Sequence, residues 1–412
     1  MDKWDEINKL WEDYFKLTVY KNDHLLKPLL HFWLGAYLTQ RYVILLSGQY
    51  KTLRIHPAIF QNSGSGKSTA TKTTHFLLKD IGLRSFFTLK TTDASLIGSI
   101  EFIKNKKHRE SGLLDTDSLS GKDTIFWDEA SILLKNQQYT ENICDILQMA
   151  TDDPGYVAKA VRLGQVEFRT NTSICVSSYL EENIEKGILK RGLFQRMFVV
   201  YHCYSQTEMI DFIGNKAEII NSDYRQRKDL AKKIFEILPH HEMPLKTSEK
   251  CVIRVNQQAY RDFSSIFVKF IKSKLNLFTD KRQIVFETFV SRNDQIIIIA
   301  AHKTILDGRN EVNYDDLMYG LAQYKTHLKS INELLFEQQK VVTTEDEHRK
   351  TMIINVIRGK CYGIYETKEA LLKLQSWNLG QNNTLKAINK LITDGVIKTE
   401  LKEHGKKVLL VS

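Results

Sequence analysis

The chain has 412 residues, enough for two to four domains, and 42% of them are hydrophobic, which excludes wholesale disorder. Its 59 Lys and Arg against 49 Asp and Glu give a formal charge of +10, which favours an anionic partner such as nucleic acid. The longest apolar stretches, around Leu29–Leu46 and Ile296–Ala301, are interrupted or short of the roughly 18–20 residues of a membrane span. The opening Met1-Asp2-Lys3-Trp4-Asp5-Glu6 carries acids and no apolar core, so no signal peptide is expected. The expected location is the cytoplasm or the nucleoid, with no membrane partner. Five single cysteines (Cys144, Cys175, Cys203, Cys251, Cys361) form no CxxC pair, and His240-His241-Glu242 lacks the HExxH spacing. Neither a disulfide framework nor a zinc site is expected.

Residues 1–50 have helical periodicity, with Trp4, Leu10, Trp11, Tyr14 and Phe15 on one face and a second helical segment over Leu25–Arg41. They are read as a helical collar on the core. The apolar run Ile55–Phe60 predicts a buried strand, broken by Gln61-Asn62-Ser63-Gly64-Ser65-Gly66 before a helix over Ser68–Lys79. Gly and Ser let a backbone turn its N–H groups onto a phosphate, and the helix N-terminus adds its dipole there. The stretch is a phosphate-binding loop of GxxxxGK[ST] type, with Gln61 in place of the first Gly. Asn62, Ser63, Gly64, Ser65, Gly66 and Thr69 would line ATP, Lys67 would reach its outer phosphates, and Ser68 would hold Mg²⁺.

Ser85–Leu89 predicts a second buried strand, and Thr91-Thr92-Asp93-Ala94 a helix start with Asp93 as its N-cap, running to about Lys104. Lys104–Gly121 is polar and charged and reads as a surface insertion. The strand Thr124–Trp127 then ends in Asp128-Glu129, about 60 residues after Lys67. Asp128 would hold Mg²⁺ through water and Glu129 would polarise the attacking water. After a helix over Asn142–Asp152, Tyr156–Arg169 alternates about a Gly-containing turn and predicts a β-hairpin, with Lys159 and Arg162 near its tip. Such a hairpin suits contact with a phosphate backbone. Ser173–Ser178 is a further buried strand.

This order (phosphate loop, Asp-Glu strand, Ala158-Lys159-Ala160 hairpin, strand, Leu193-Phe194-Gln195-Arg196) resembles the AAA+ module of minichromosome maintenance helicases and related ATPases of viruses and plasmids. The resemblance covers roughly residues 50–330 and the C-terminal region. It implies Lys159 as the lysine that contacts DNA in a pore, and Ser177 where the family has its sensor-1 Asn. It also implies Arg196 as an arginine finger reaching a neighbour's nucleotide, and Arg292, with Arg282 as competitor, as the sensor-2 arginine. An arginine finger implies a homo-oligomer, expected to be a hexamer around single-stranded DNA. No counterpart of the family's N-terminal OB-fold and zinc-binding domain is expected in the short N-terminal segment, residues 1–50.

From Thr207 to Gln338 the chain reads as mainly helical, with helix starts at Ser291–Asp294 and Asn313–Leu317. After the polar patch Thr343–Glu347, helices over Thr351–Arg358, Thr367–Leu374 and Asn383–Asp394 precede a hairpin turning through His404–Lys407. That pattern predicts a winged helix-turn-helix, with Lys386, Lys390, Lys406 and Lys407 facing duplex DNA. The expected architecture is α/β: a helical collar (1–50), an AAA+ P-loop NTPase core (51–206), a helical lid (207–340) and a winged helix (348–412). The expected function is an ATP-dependent DNA helicase acting in replication, such as that of a mobile element. The alternatives are an origin-binding switch that does not translocate and, less favoured, an ATPase acting on proteins.

Overall fold

The structure, a computed structural model, describes residues 2–19, 22–89, 92–97, 119, 121–130, 133, 138–153, 155–161, 164–180, 192–214, 224–239, 249–274, 281–358, 364–365, 381–401 and 407–411. It divides into two compact units, Met1–Leu334 and Leu335–Ser412. Among the described residues no helix is long and apolar enough to cross a membrane.

Helix α1 (Lys3–Lys16) buries Trp4, Ile7, Trp11, Tyr14 and Phe15, a stripe at helical spacing, while Leu10 is only partly covered. Helix α2 (Leu26–Leu38) is buried on every side except at Lys27, as its uniformly apolar sequence requires. It crosses the following chain so closely that a Cβ on Gly35 would stand 2.4 Å from the Leu53 carbonyl oxygen. The chain then forms the hairpin β1 (Tyr42–Leu46) and β2 (Gln49–Lys51). Its turn residues Ser47 and Gly48 both have positive φ, the geometry that matches strand twist in a two-residue turn. The sequence predicts no strand here.

The central sheet follows. Strand β3 (Pro57–Gln61) leads into α3 (Lys67–Asp80), β4 (Ser85–Thr88), α4 (Asp93–Ile97) and β5 (Thr124–Trp127). Helix α5 (Gln138–Thr151), the hairpin β6 (Gly155–Val161) and β7 (Gly164–Thr170), β8 (Ser173–Ser178), α6 (Gly192–Gln195) and β9 (Phe198–His202) complete it. The strands lie in the order β4-β5-β8-β3-β9, and all neighbours are parallel. Every residue of β3, β5 and β8 is buried, as a parallel sheet covered on both faces demands. Helix α4 is capped by the Thr92 hydroxyl, which accepts from the Ser95 amide at 3.0 Å, so the cap is Thr92 and not Asp93. A threonine hydroxyl serves that role, as an aspartate carboxylate does. The predicted insertion Lys104–Gly121 falls, apart from residues 119 and 121, outside the described residues.

Beyond the sheet come α7 (Gln206–Gly214), α8 (Tyr224–Ile237), β10 (Cys251–Val255), α9 (Gln257–Lys274), α10 (Lys281–Val290), α11 (Asp294–Leu306), β11 (Glu311–Val312) and α12 (Tyr314–Arg358). The expected helical character is interrupted by β10, which pairs in parallel with β1, so that β11-β10-β1-β2 form a second sheet. The N-terminal segment and this late segment therefore share backbone hydrogen bonds. Helix α12 starts on a reciprocal cap: the Asp316 amide donates to Asn313 Oδ1 at 2.9 Å, and the Asn313 amide donates to Asp316 Oδ2 at 3.0 Å. Asp316 is fully buried and takes both guanidinium nitrogens of Arg309 at 2.7 Å, which holds its carboxyl below the usual range against burial.

In the second unit, α12 ends, β12 (Ile364–Tyr365) follows, and α13 (Gln381–Thr393) leads to the hairpin β13 (Ile397–Leu401) and β14 (Lys407–Val411). The antiparallel sheet order is β12-β14-β13. Helix α12 is 45 residues long, so the segment expected as a separate helix over Thr351–Arg358 is its last part. Residues 321–358 contain neither Gly nor Pro, and nothing local breaks the helix at the polar patch. The predicted helix over Thr367–Leu374 lies outside the described residues.

Buried histidines tie these layers together. His302 donates from Nε2 to the Leu53 carbonyl at 2.8 Å, so its Nδ1 accepts from His31 Nδ1 at 3.0 Å. His31 Nε2 then accepts from the Tyr319 hydroxyl at 3.0 Å, and both rings are neutral. His56 and His327 accept backbone amides of Ile174 and Val199 through Nδ1, at 3.0 and 2.8 Å. Burial holds His31 and His56 well below the ordinary histidine value, and His75, His302 and His327 at about 4. The unfolded chain therefore binds more protons than the folded one below about pH 6.5. The stability these groups contribute is complete above that pH and is lost as pH falls toward 4. We expect urea midpoints to be flat from pH 8 to 7 and to drop steeply between pH 6.5 and 5. A midpoint unchanged over that interval contradicts the neutral relay.

Candidate functional site at the carboxyl edge of the parallel sheet

The loop after β3 has two left-handed glycines, Gly64 (φ 79°) and Gly66 (φ 81°), the latter standing directly before α3. The first amides of α3 have no partner within the helix and point out of its N-terminus. Gln61 is completely buried and exchanges two hydrogen bonds with Asn22: Asn22 Nδ2 donates to Gln61 Oε1 at 2.9 Å, and Gln61 Nε2 donates to Asn22 Oδ1 at 3.1 Å. Asn22 Nδ2 also reaches the Ser65 carbonyl at 3.0 Å, and Ser65 Oγ donates to Gln61 Oε1 at 3.2 Å. The residue that departs from the glycine of the motif is thus an amide anchor for the loop. On the other side, the Tyr204 amide donates to Asn62 Oδ1 at 2.7 Å, just past β9. Ser63 and Gly64 are exposed between these ties, Thr69 is exposed in the first turn of α3, and Ser68 is half-buried.

Lys67 is buried, and its ammonium lies 3.3 Å from the Asn62 carbonyl. Burial pushes its pKa down, while Asp128 and Glu129 pull it up, which places both carboxylates within electrostatic reach. Asp128, at the end of β5, is 4% exposed and accepts the Ser177 hydroxyl; its amide donates to the Thr88 carbonyl at 2.9 Å. Glu129 is exposed and has φ 57°, an uncommon conformation for a residue with a Cβ and one that concentrates at functional sites. Lys67, Ser68, Asp128, Glu129 and Ser177 are therefore gathered at the carboxyl ends of neighbouring parallel strands, where open α/β sheets bind ligands. Among the described residues no group of three His, Cys, Asp or Glu side chains could hold a metal by itself.

Arg196 and Arg292 are elsewhere. Phe198, two residues after Arg196, pairs with Pro57 at the amino end of β3, whereas the loop leaves the carboxyl end at Gln61, about 13 Å along the strand. The Arg196 guanidinium pairs with Asp152 and donates to the Gly192 carbonyl at 2.9 Å. Arg196 and Arg292 line one small cavity of about 140 Å³ with Arg54, Asp152 and Asp294, and no loop residue lines it. The Arg282 side chain lies outside the described residues.

The hairpin β6–β7 rises from this same amino edge, since β7 runs into β8 at Ser173 opposite Thr124. Lys159 lies on β6 opposite Val166, and Arg162 falls outside the described residues. The hairpin's base is held by Arg54, a buried guanidinium that donates to the carbonyls of Ala150 and Thr172 at 3.0 Å and of Asp152 at 2.9 Å. Gly155 fits there because a Cβ would stand 2.5 Å from the Thr170 carbonyl oxygen. In the second unit, Lys386 and Lys390 are exposed on the side of α13 opposite buried Ile388 and Leu391, Lys407 begins β14, and Lys406 is outside the described residues. Sequence reasoning missed Asn22, Arg54 and Asp152; a charged Arg directly before the apolar run Ile55–Phe60 was the available signal for one of them.

No protein-family model matches the chain, and no curated protein is significantly similar to it.

Asn22→Ala strands the buried Gln61 amide, and we expect urea unfolding to register a loss of about 1–3 kcal/mol. In a double-mutant cycle with Gln61→Ala the two losses should be non-additive by at least about 0.5 kcal/mol. Additive losses would mean that the amide pair does not anchor the loop.

Proposed function

We propose that the chain is a Mg²⁺-dependent ATPase of AAA+ type, resembling minichromosome maintenance helicases, that works as a ring on DNA. The observation that carries this reading is the separation of the site into two edges of one sheet. Lys67, Ser68 and Asp128 gather at the carboxyl edge, while Arg196 and Arg292 lie at the amino edge. Within one chain the two sets cannot meet on one triphosphate. Between neighbouring copies they can, which favours a closed oligomer.

In this reading the loop amides and Lys67 hold the outer phosphates, and Asn22 with Gln61 keeps the loop in its binding shape. Ser68 and Asp128 are the residues suited to Mg²⁺, which when bound would neutralise charge on the phosphates. Their fit is supported by the Asp128 carboxylate, whose one side-chain hydrogen-bond partner among the described residues is the Ser177 hydroxyl. Glu129, held outward by its left-handed backbone, orients the attacking water. A neighbour's Arg196, released from Asp152, supplies positive charge to the transition state. The Lys159 hairpin and the exposed lysines of α13 are the proposed DNA contacts, the first for a single strand and the second for duplex.

Mixing tests the shared site. Lys67→Ala and Arg196→Ala should each lower the ATPase rate by 10³-fold or so alone. Mixed, they should regain a clear fraction of wild-type rate, because some interfaces then carry both an intact loop and an intact arginine. A mixture as inactive as its parts contradicts the shared site. Single-stranded DNA should stimulate the wild type and not Lys159→Ala. A slow rate insensitive to single strands, with duplex binding confined to the last unit, would replace the motor by a DNA-binding switch.

A further inference from the structure

One cavity among the described residues opens away from the loop at the carboxyl edge of the central sheet, and it shares Lys51 and Asp294 with the small cavity that Arg196 and Arg292 line. The former has a volume of about 680 Å³ and opens where the β1–β2 turn, β10, α9 and α11 meet. None of the loop residues Asn62–Thr69 lines it, nor does Lys159, Arg196 or Arg292. Its volume falls within the range of small-molecule sites, about 300–1,000 Å³.

The lining has three chemical parts. Leu45, Leu46, Val255 and Ile297 supply apolar surface. Tyr260 on α9 adds a half-buried aromatic ring whose hydroxyl accepts weakly from Asn293 Nδ2 at 3.5 Å. Arg254 on β10 and Arg261 on α9 are exposed, and among the described residues neither guanidinium has a hydrogen-bond or ion-pair partner. The one acid in the lining, Asp294, is already engaged by Lys51 at 3.4 Å and by the Gln295 amide at 3.1 Å. The concavity thus combines apolar and aromatic surface with two uncommitted arginines and no uncommitted carboxylate.

We infer that this cavity binds one nucleotide unit of a single-stranded nucleic acid, with the base on Tyr260 and the apolar surface and the flanking phosphates on Arg254 and Arg261. A flat ring joined to an anion is the chemistry that uses all three parts at once. Base stacking on an aromatic side chain with arginines on the backbone is how strands are held without reading sequence. A strand is favoured over a free nucleotide because the two arginines sit on different elements at an open mouth, and the chain as a whole carries +10. The β1–β2 turn forms one lip, and a Cβ on Gly48 would meet nothing within 4 Å, so that lip stays clear. This site does not depend on the ATPase reading, because it shares no residue with the phosphate loop.

The test uses the full chain without ATP, in a Lys67→Ala background, with a thymidine oligonucleotide carrying one photoreactive 5-iododeoxyuridine. We expect a crosslink to Tyr260, located by mass spectrometry. It should fall at least tenfold in Arg254→Ala/Arg261→Ala and disappear in Tyr260→Leu. The double arginine variant should also lower the salt dependence of oligonucleotide binding by about two charges. Crosslinks only at other residues, or a Tyr260 crosslink unchanged by removing both arginines, overturn the assignment. Complete displacement by millimolar AMP with no measurable oligonucleotide affinity would also overturn it, in favour of a free nucleotide. ATPase activity measured on the same Arg254→Ala/Arg261→Ala variant, but with Lys67 intact, should persist, which separates failure here from failure of the ATPase reading.

Discussion

Leu53 to His56, four buried residues in no regular element, are where the first unit holds together. A buried backbone without a ladder must find every partner elsewhere. The Leu53 amide donates to Thr39 Oγ at 2.9 Å, and its carbonyl accepts from His302. Arg54 reaches the end of α5 and the start of β8. The His56 carbonyl accepts the Phe198 amide at 2.8 Å and its ring accepts the Ile174 amide. Gly35 lets α2 press against this segment. Breaking any one contact would leave a desolvated polar group, at a cost of about 1–3 kcal/mol.

That knot sits at the amino ends of the parallel strands, and it has a consequence for the chemistry. Arg54 holds the carbonyl of Asp152, whose carboxylate pairs with Arg196, and it also braces the base of the β6–β7 hairpin. Arg196 and the hairpin base are thus linked through Asp152 and Arg54. The opposite edge is built differently. There the loop hangs between two amide ties, to Asn22 and to Tyr204, with exposed Ser63 and Gly64 between them.

Local chemistry made much of this legible in the sequence. The buried strands at Ile55–Phe60, Thr124–Trp127 and Ser173–Ser178, the helix after Gly66 and the hairpin at Tyr156–Arg169 all carry short-range signals, and each forms within a few residues of its predicted bounds. The candidate cluster of Lys67, Ser68 and Asp128 was legible for the same reason, because glycines and strand-end acids announce themselves in the chain. The strand at Cys251–Val255 was not legible. It is short, only its Ile253 is fully buried, and its partner β1 lies some 200 residues away. The length of α12 is not legible either, because the polar patch Thr343–Glu347 resembles a boundary although nothing in it breaks a helix.

The sequence by itself determined which segments must be buried and where the backbone must turn through glycine, because these follow from side-chain chemistry at fixed spacing. Only the tertiary structure decided that Gln61 needs Asn22, that Arg196 and Arg292 share a cavity away from the loop, and that β1 and β10 enclose a cationic hollow. Those facts join residues tens to hundreds of positions apart. Their partners are chosen by which buried polar groups and apolar faces remain to be satisfied once the whole chain has packed.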